Sequence, residues 1–330
     1  MNSSDRADRT PFRVTARRVQ IGLGLLWLLD GVLQFQPRMF GPDFVTGILQ
    51  PASAGQPAFI AWPLDHVDHL VGASPAPFNG VFGTMQLLIG IGLLVRDTVK
   101  PALVLSVMWS LGVWAVGEGF GMVFMGQASP LTGAPGAVLL YAVIAILVWP
   151  RHANRPDGAA AGEGPMGETG ARIVWAVLWS AMGVLWLLPA NRNPNGVSAS
   201  LTTAAAGEPG WLSHIQLALA HACAGAGSGL ALTLAVVSCW IGVGPLVTGR
   251  PTLFLVAGAA LSLDFWILGQ SFGGILTGLG TDPNAGPLFI LLAVAIFPNT
   301  TQPAGDTRQP VNLACPSAPD LGRDRQRLPA

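Results

Sequence analysis

GEGFGMVFMGQASPLTGAP (residues 117–135) and GQSFGGILTGLGTDPNAGP (269–287) share the pattern G-x-x-F-G-x(4)-G-x(8)-P. The register between them, 152 positions, is kept by other residues along the chain. Trp27 falls on Trp179, Gly31 on Gly183, Pro37 on Pro189, His69 on His221 and Trp114 on Trp266. "AGQP" at 54–57 falls on "AGEP" at 206–209. Apolar composition alone does not place Gly, Pro, Trp and His at one fixed offset. The pattern therefore reads as a tandem duplication.

The solvent of this duplicated unit follows from composition. The chain has 330 residues, 51% of them hydrophobic and only 10% charged, against roughly 25% charged in a soluble domain. Apolar runs near 19–35, 78–95, 101–117, 134–149, 172–189, 227–247, 252–268 and 286–298 suit about eight transmembrane helices, the last of them short. The expected fold is an all-α integral membrane protein built as two tandem parallel four-helix repeats. Repeats of four crossings point the same way, so their pseudo-symmetry axis lies along the membrane normal. The expected divisions are an N-terminal tail (1–18), a first repeat (19–150), a flexible linker (151–170), a second repeat (171–298) and a disordered tail (299–330). The first run is read as a retained helix rather than a signal peptide, because no small-residue cleavage site follows it.

Fifteen of the seventeen Lys and Arg residues fall on one side of such a topology; only Arg38 and Arg192 fall on the other. By the positive-inside rule both termini are cytoplasmic in the cell membrane. Zero formal net charge argues against nucleic acid as a partner. Cys223, Cys239 and Cys315 have no metal-site or CxxC spacing.

Carboxylates inside apolar runs are the sharpest functional signal, since a charge there is costly. Asp30 lies about 18 Å of helix beyond Arg18, and Asp264 about 21 Å beyond Arg250, both in the outer half of the membrane. Gln34 is one turn beyond Asp30. Glu118 and Gln270 open the two Gly-rich stretches. Asp30, Gln34, Glu118, Asp264 and Gln270 are expected to form one outward-facing polar pocket between the halves. The glycines Gly117, Gly121, Gly126, Gly269, Gly273 and Gly278 would shape it, as a re-entrant turn or half-helix, or else serve as packing turns. A second repeated piece, "GQPAFIAWPLDHVDHL" and "GEPGWLSHIQLALAHA", suits a helix lying in the outer interface. It carries His66 and His69 in one copy and His214 and His221 in the other, each pair on one helical face. With Asp65 and Asp68 these form a candidate divalent-metal or proton-relay cluster. Met39, Met122 and Met125 read as packing.

"RVQIGLGLLWLLDGVLQFQP" (18–37), with its basic start, Gly-containing first helix and Gly-x-x-x-Phe close, resembles the first helix of DoxX-like membrane proteins. The resemblance implies four-helix units, some of them tied to quinone- or thiol-linked redox chemistry. Three functions stay open. The first is a permease for a small solute or ion. The second is a DoxX-like redox protein holding haem or a metal through His69 and His221. The third is a non-catalytic membrane scaffold.

Overall fold

The computed structural model describes residues 13–151 and 159–299. Most of the N-terminal tail and nearly all of the C-terminal tail lie outside the described residues. Among the described residues every regular element is helical. The longer helices are α1 (Ala16–Gln34), α2 (Ala58–Ala73), α3 (Pro75–Leu94), α4 (Val99–Val116), α5 (Ala137–Leu147), α6 (Gly167–Trp186), α7 (Gly196–Ala204), α8 (Gly210–Cys223), α9 (Gly227–Val247), α10 (Pro251–Leu268) and α11 (Ala285–Ile296). Five are long and apolar enough to cross a membrane: α3, the stretch Arg96–Met125 containing α4, α6, α9 and α10. The chain is thus a helical protein in contact with lipid.

Helix ends follow local chemistry. Thr15 caps α1 by accepting from the Arg18 amide. Arg17 reaches across to donate to the carbonyls of Leu93 and Leu94, closing the C-terminus of α3. Pro75 and Pro251 occupy first-turn positions in α3 and α10. Pro57 and Pro209 stand at the N-terminal caps of α2 and α8. Both of these helices turn aromatic residues outward: Phe59, Trp62 and Trp211 are largely exposed, as befits helices lying in an interface.

Helix packing follows the same order in both halves. α1 packs on α3, α3 on α4 and α4 on α5; α6 packs on α9, α9 on α10 and α10 on α11. The first contact in each set requires a missing side chain. A Cβ on Gly90 would lie 2.9 Å from the Gly24 carbonyl oxygen, and one on Gly242 would lie 3.0 Å from that of Ala176. Small residues let membrane helices meet backbone to backbone in this way. α5 and α11 lie against each other at the centre, and α11 also touches α1 and α6. Eight of the eleven residues of α5 and eight of the twelve of α11 are buried, so both helices are apolar all round. At about 17 and 18 Å they fall well short of a roughly 30 Å hydrocarbon core. The run 134–149 is therefore a shorter helix than its apolar length suggests.

The Gly-rich stretches are neither half-helices nor open loops. They form 3-10 turns at Gly119–Met125, Ser271–Gly273 and Ile275–Thr277. Phe120, Gly121 and Met122 hold left-handed backbone in one, and Ser271, Phe272 and Gly273 in the other. For bulky residues this conformation costs roughly 1–2 kcal/mol each. Trp114 donates its indole N–H to the Pro135 carbonyl at 2.7 Å, and Trp266 donates to that of Pro283 at 2.7 Å. Phe120 and Phe272 pack edge-on against the same two indoles. The partner of Pro135 is thus Pro283 rather than Pro287. The gapless offset holds through the left-handed caps Gly126 and Gly278 and fails between Gly278 and Pro283, because the second loop is four residues shorter.

The expected linker 151–170 is also corrected in part. Residues 152–158 lie outside the described residues, but Ala159, Ala160 and Ala161 are fully buried. They form part of a turn packed against α1, α6 and α11. Alanine is small enough to fit there, and Gly164 passes so close to the Leu147 carbonyl that no Cβ would fit.

The turns should be intolerant at their centres. Gly121 has φ +63°, and a Cβ there would fall 2.1 Å from the Pro135 carbonyl oxygen. Gly121→Ala is expected to cost more than the ~1–2 kcal/mol of left-handed strain. Helical Gly80, with open space around it, should accept alanine with no loss. Thermal unfolding in detergent checks the pair.

Candidate functional site

Asp30, Gln34 and Glu118 come together. They line a cavity of about 330 Å³ within the first half, walled by Phe44, Leu49, Phe82, Trp109, Val113 and Val116. Gln86 of α3 and Gly117 also line it. Thr281 and Asp282, from the second Gly-rich loop, complete the wall.

The crossing of the loops explains this shared construction. Gln36 donates to the Gly280 carbonyl and Arg38 to that of Thr277, so the second loop lies over the first half. In the other direction Asn191 donates to the Ala128 carbonyl, and the first loop lies over the second half. Where the loops cross, Asn284 donates to the Thr132 carbonyl at 3.4 Å. A Cβ on Gly133 would collide with the Asn284 side chain.

The polar groups of the cavity are poorly partnered. Asp30 is 1% exposed and neither carboxylate oxygen has a hydrogen-bond partner. The Tyr141 hydroxyl beside it interacts with it as a hydrogen-bond donor, in geometry too poor to satisfy either carboxylate oxygen. Gln34 Oε1 and Gln86 Oε1 are buried and unpartnered as well. Glu118 accepts from the Val138 amide through one oxygen, while the other has no partner. Asp282 is held by its own loop, accepting from the Thr281 hydroxyl at 2.8 Å and the Asn284 amide at 2.7 Å. Burial pushes its carboxyl above the usual carboxylate range, with these two bonds opposing. Among the described residues no Lys, Arg or His lines the cavity.

Asp264 and Gln270 are elsewhere. Gln270 occupies the place of Glu118 in the second half, buried and accepting from the Gly286 amide at 2.9 Å. Asp264 is exposed on α10. It edges a separate apolar groove of about 160 Å³ in the second half. That groove is the positional counterpart of the first cavity: Leu201, Leu219, Leu234 and Phe265 line it where Leu49, Val67, Phe82 and Val113 line the other. It is smaller because Met182 and Trp186, both buried, stand where Asp30 and Gln34 stand. The polar pocket thus lies within the first half rather than between two contributing carboxylates.

The histidines do not join the site. His66, His69, His214 and His221 are all exposed on α2 and α8. His66 donates from Nδ1 to the Trp62 carbonyl, 2.8 Å away, and packs on the Trp62 ring. Among the described residues no group of three or more His, Cys, Asp or Glu side chains is placed to hold a metal. Gln86, Trp109 and Asp282 are site residues that the sequence reading missed. Gln86 did leave a signal, as a polar residue inside the run 78–95.

Comparison with protein-family models, curated proteins and solved structures gave no match.

A buried carboxylate without a partner costs about 1–3 kcal/mol or more. Asp30→Met, which installs the residue of the equivalent position Met182, is expected to raise the melting temperature in detergent. A fall would mean that Asp30 supports the fold.

Proposed function

We propose that this chain is a multi-pass cell-membrane protein whose first half binds a small solute on the outer side, with solute permeation as its activity. The observation that carries this reading is Asp30: fully buried, unpartnered, and facing a cavity large enough for a ligand. Stability alone does not favour such a group, whereas a ligand-binding role does.

The proposed architecture is two tandem four-helix units crossing the membrane eight times, with both termini cytoplasmic. The matching helix order, the paired indole–proline bonds and the Gly90 and Gly242 contacts support the duplication. In this topology α5 and α11 cross with the help of non-helical flanks. Such backbone is tolerated at membrane depth when buried in protein, as residues 128–136 largely are. The first-helix resemblance to DoxX-like proteins agrees with a four-helix unit.

Two measurements test the reading. Reporter fusions after Arg151 and at the C-terminus should both report cytoplasm; an external signal at either would reject the topology. A thermal-shift screen of small charged and neutral solutes against the reconstituted protein should give stabilising hits that Asp30→Met removes. His69→Ala and His221→Ala should retain them. Hits lost in the histidine variants and kept in Asp30→Met would move the site to α2 and α8 and favour a metal or haem.

A further inference from the structure

The chemistry of the cavity restricts its ligand. Its charged groups are all acidic, the Asp30, Glu118 and Asp282 carboxyls; the side-chain oxygens of Gln34 and Gln86 add acceptors, and Trp109 adds an unpartnered indole N–H. Glu118 and Asp282 line the same space as Asp30. Among the described residues no cationic side chain lines the space. A positively charged ligand would supply the countercharge that the three carboxyls lack.

A bare metal ion does not suit the geometry. Calcium or magnesium needs several oxygens converging within about 2.0–2.6 Å, whereas the acidic groups do not gather into a metal-holding cluster among the described residues. The remaining wall is apolar and aromatic. Phe82 and Trp109 face each other at 5.6 Å between ring centres, a surface suited to the methyl or methylene groups around a cationic nitrogen.

The opening indicates where a ligand enters. Met108 and Gly112 line the cavity and are also exposed on α4. A Cβ on Gly112 would meet no atom within 4 Å. Gly112 lies about 20 Å along α4 from Val99, so in the proposed topology this gap faces the outer half of the hydrocarbon core. At the equivalent place in the filled second half stands Asp264.

We propose that the ligand is a small organic ammonium ion with an apolar body, entering sideways from the outer leaflet past Gly112. This rests on the first-half cavity being the solute site. An amphipathic cation partitions at the headgroup boundary with its charge toward water, which delivers it to this depth.

The test uses the full-length protein in lipid nanodiscs, with empty nanodiscs as the partition blank. The probes are phenyltrimethylammonium, whose charge is independent of pH, and tert-butylbenzene, its neutral carbon isostere. Equilibrium dialysis should give one phenyltrimethylammonium site per chain, at least about ten-fold tighter than the isostere, since losing one partner of a buried charge pair costs that much or more. Asp30→Asn should remove the preference and leave the melting temperature undiminished. Gly112→Trp should abolish binding without unfolding the protein. Equal affinity for both probes, sensitive to Gly112→Trp, would overturn the cation and retain the cavity as a site for neutral solutes. Binding unaffected by Gly112→Trp would overturn the lateral route. No binding of either probe above the blank would overturn the cavity as a solute site.

Discussion

An indole N–H given to a proline carbonyl, once from Trp114 and once from Trp266, holds the parts of this molecule that regular helices do not. Each bond fixes a turn whose backbone runs left-handed through bulky residues. That conformation opposes folding by a few kcal/mol if each such residue costs roughly 1–2. The buried hydrogen bond and the edge-on Phe–Trp contact beside it act in the other direction. With the turns set, the chain is free to cross to the other half before it returns as α5 or α11. The crossing places Asp282 and Thr281 over the first cavity. It also places Leu131 over the second groove.

In the proposed duplication the halves share a frame and differ in their contents. Glycines that admit close helix contact, and tryptophans that anchor the turns, recur in both. Inside the frame, Asp30, Gln34, Gln86 and Trp109 face Met182, Trp186, Ser238 and Leu261 at the equivalent positions. The second set fills space and carries no carboxylate. Trp186 is fully buried and packs on Phe265, where the first half leaves a cavity. One half thus bears the unfavourable burial of charge, while the other supplies a packed support and a loop.

Much of this was legible in the sequence, for physical reasons. A carboxylate in an apolar run is costly wherever it points, so Asp30 and Glu118 stood out. Fixed-offset Trp and Gly residues marked the turns and helix contacts because few other residues replace them. The gapless register failed after Gly278, since a shorter loop preserves the Trp266–Pro283 bond without preserving spacing. Asp282 was missed because a loop's depth depends on what it crosses, and local composition does not encode that. Ala159 to Ala161 read as linker because small residues look alike in a tether and in a tight buried turn.

Asp264 shows the limit most clearly. Asp30 precedes the end of α1 at Gln34 by about one turn, and Asp264 precedes the end of α10 at Leu268 by the same distance. In the proposed topology depth is equal, so the cost of the charge is equal before any partner is counted. What separates them is the face of the helix. α1 and α10 are apolar on nearly every side, so no polar stripe tells which face is turned inward. Asp30 points into the protein, where it needs a ligand or a proton. Asp264 points outward, and one turn, about 5.4 Å, is a short enough distance for a side chain to reach the headgroup layer and its water. In the proposed reading, the same residue type at the same depth is a binding group in one half and a surface group in the other.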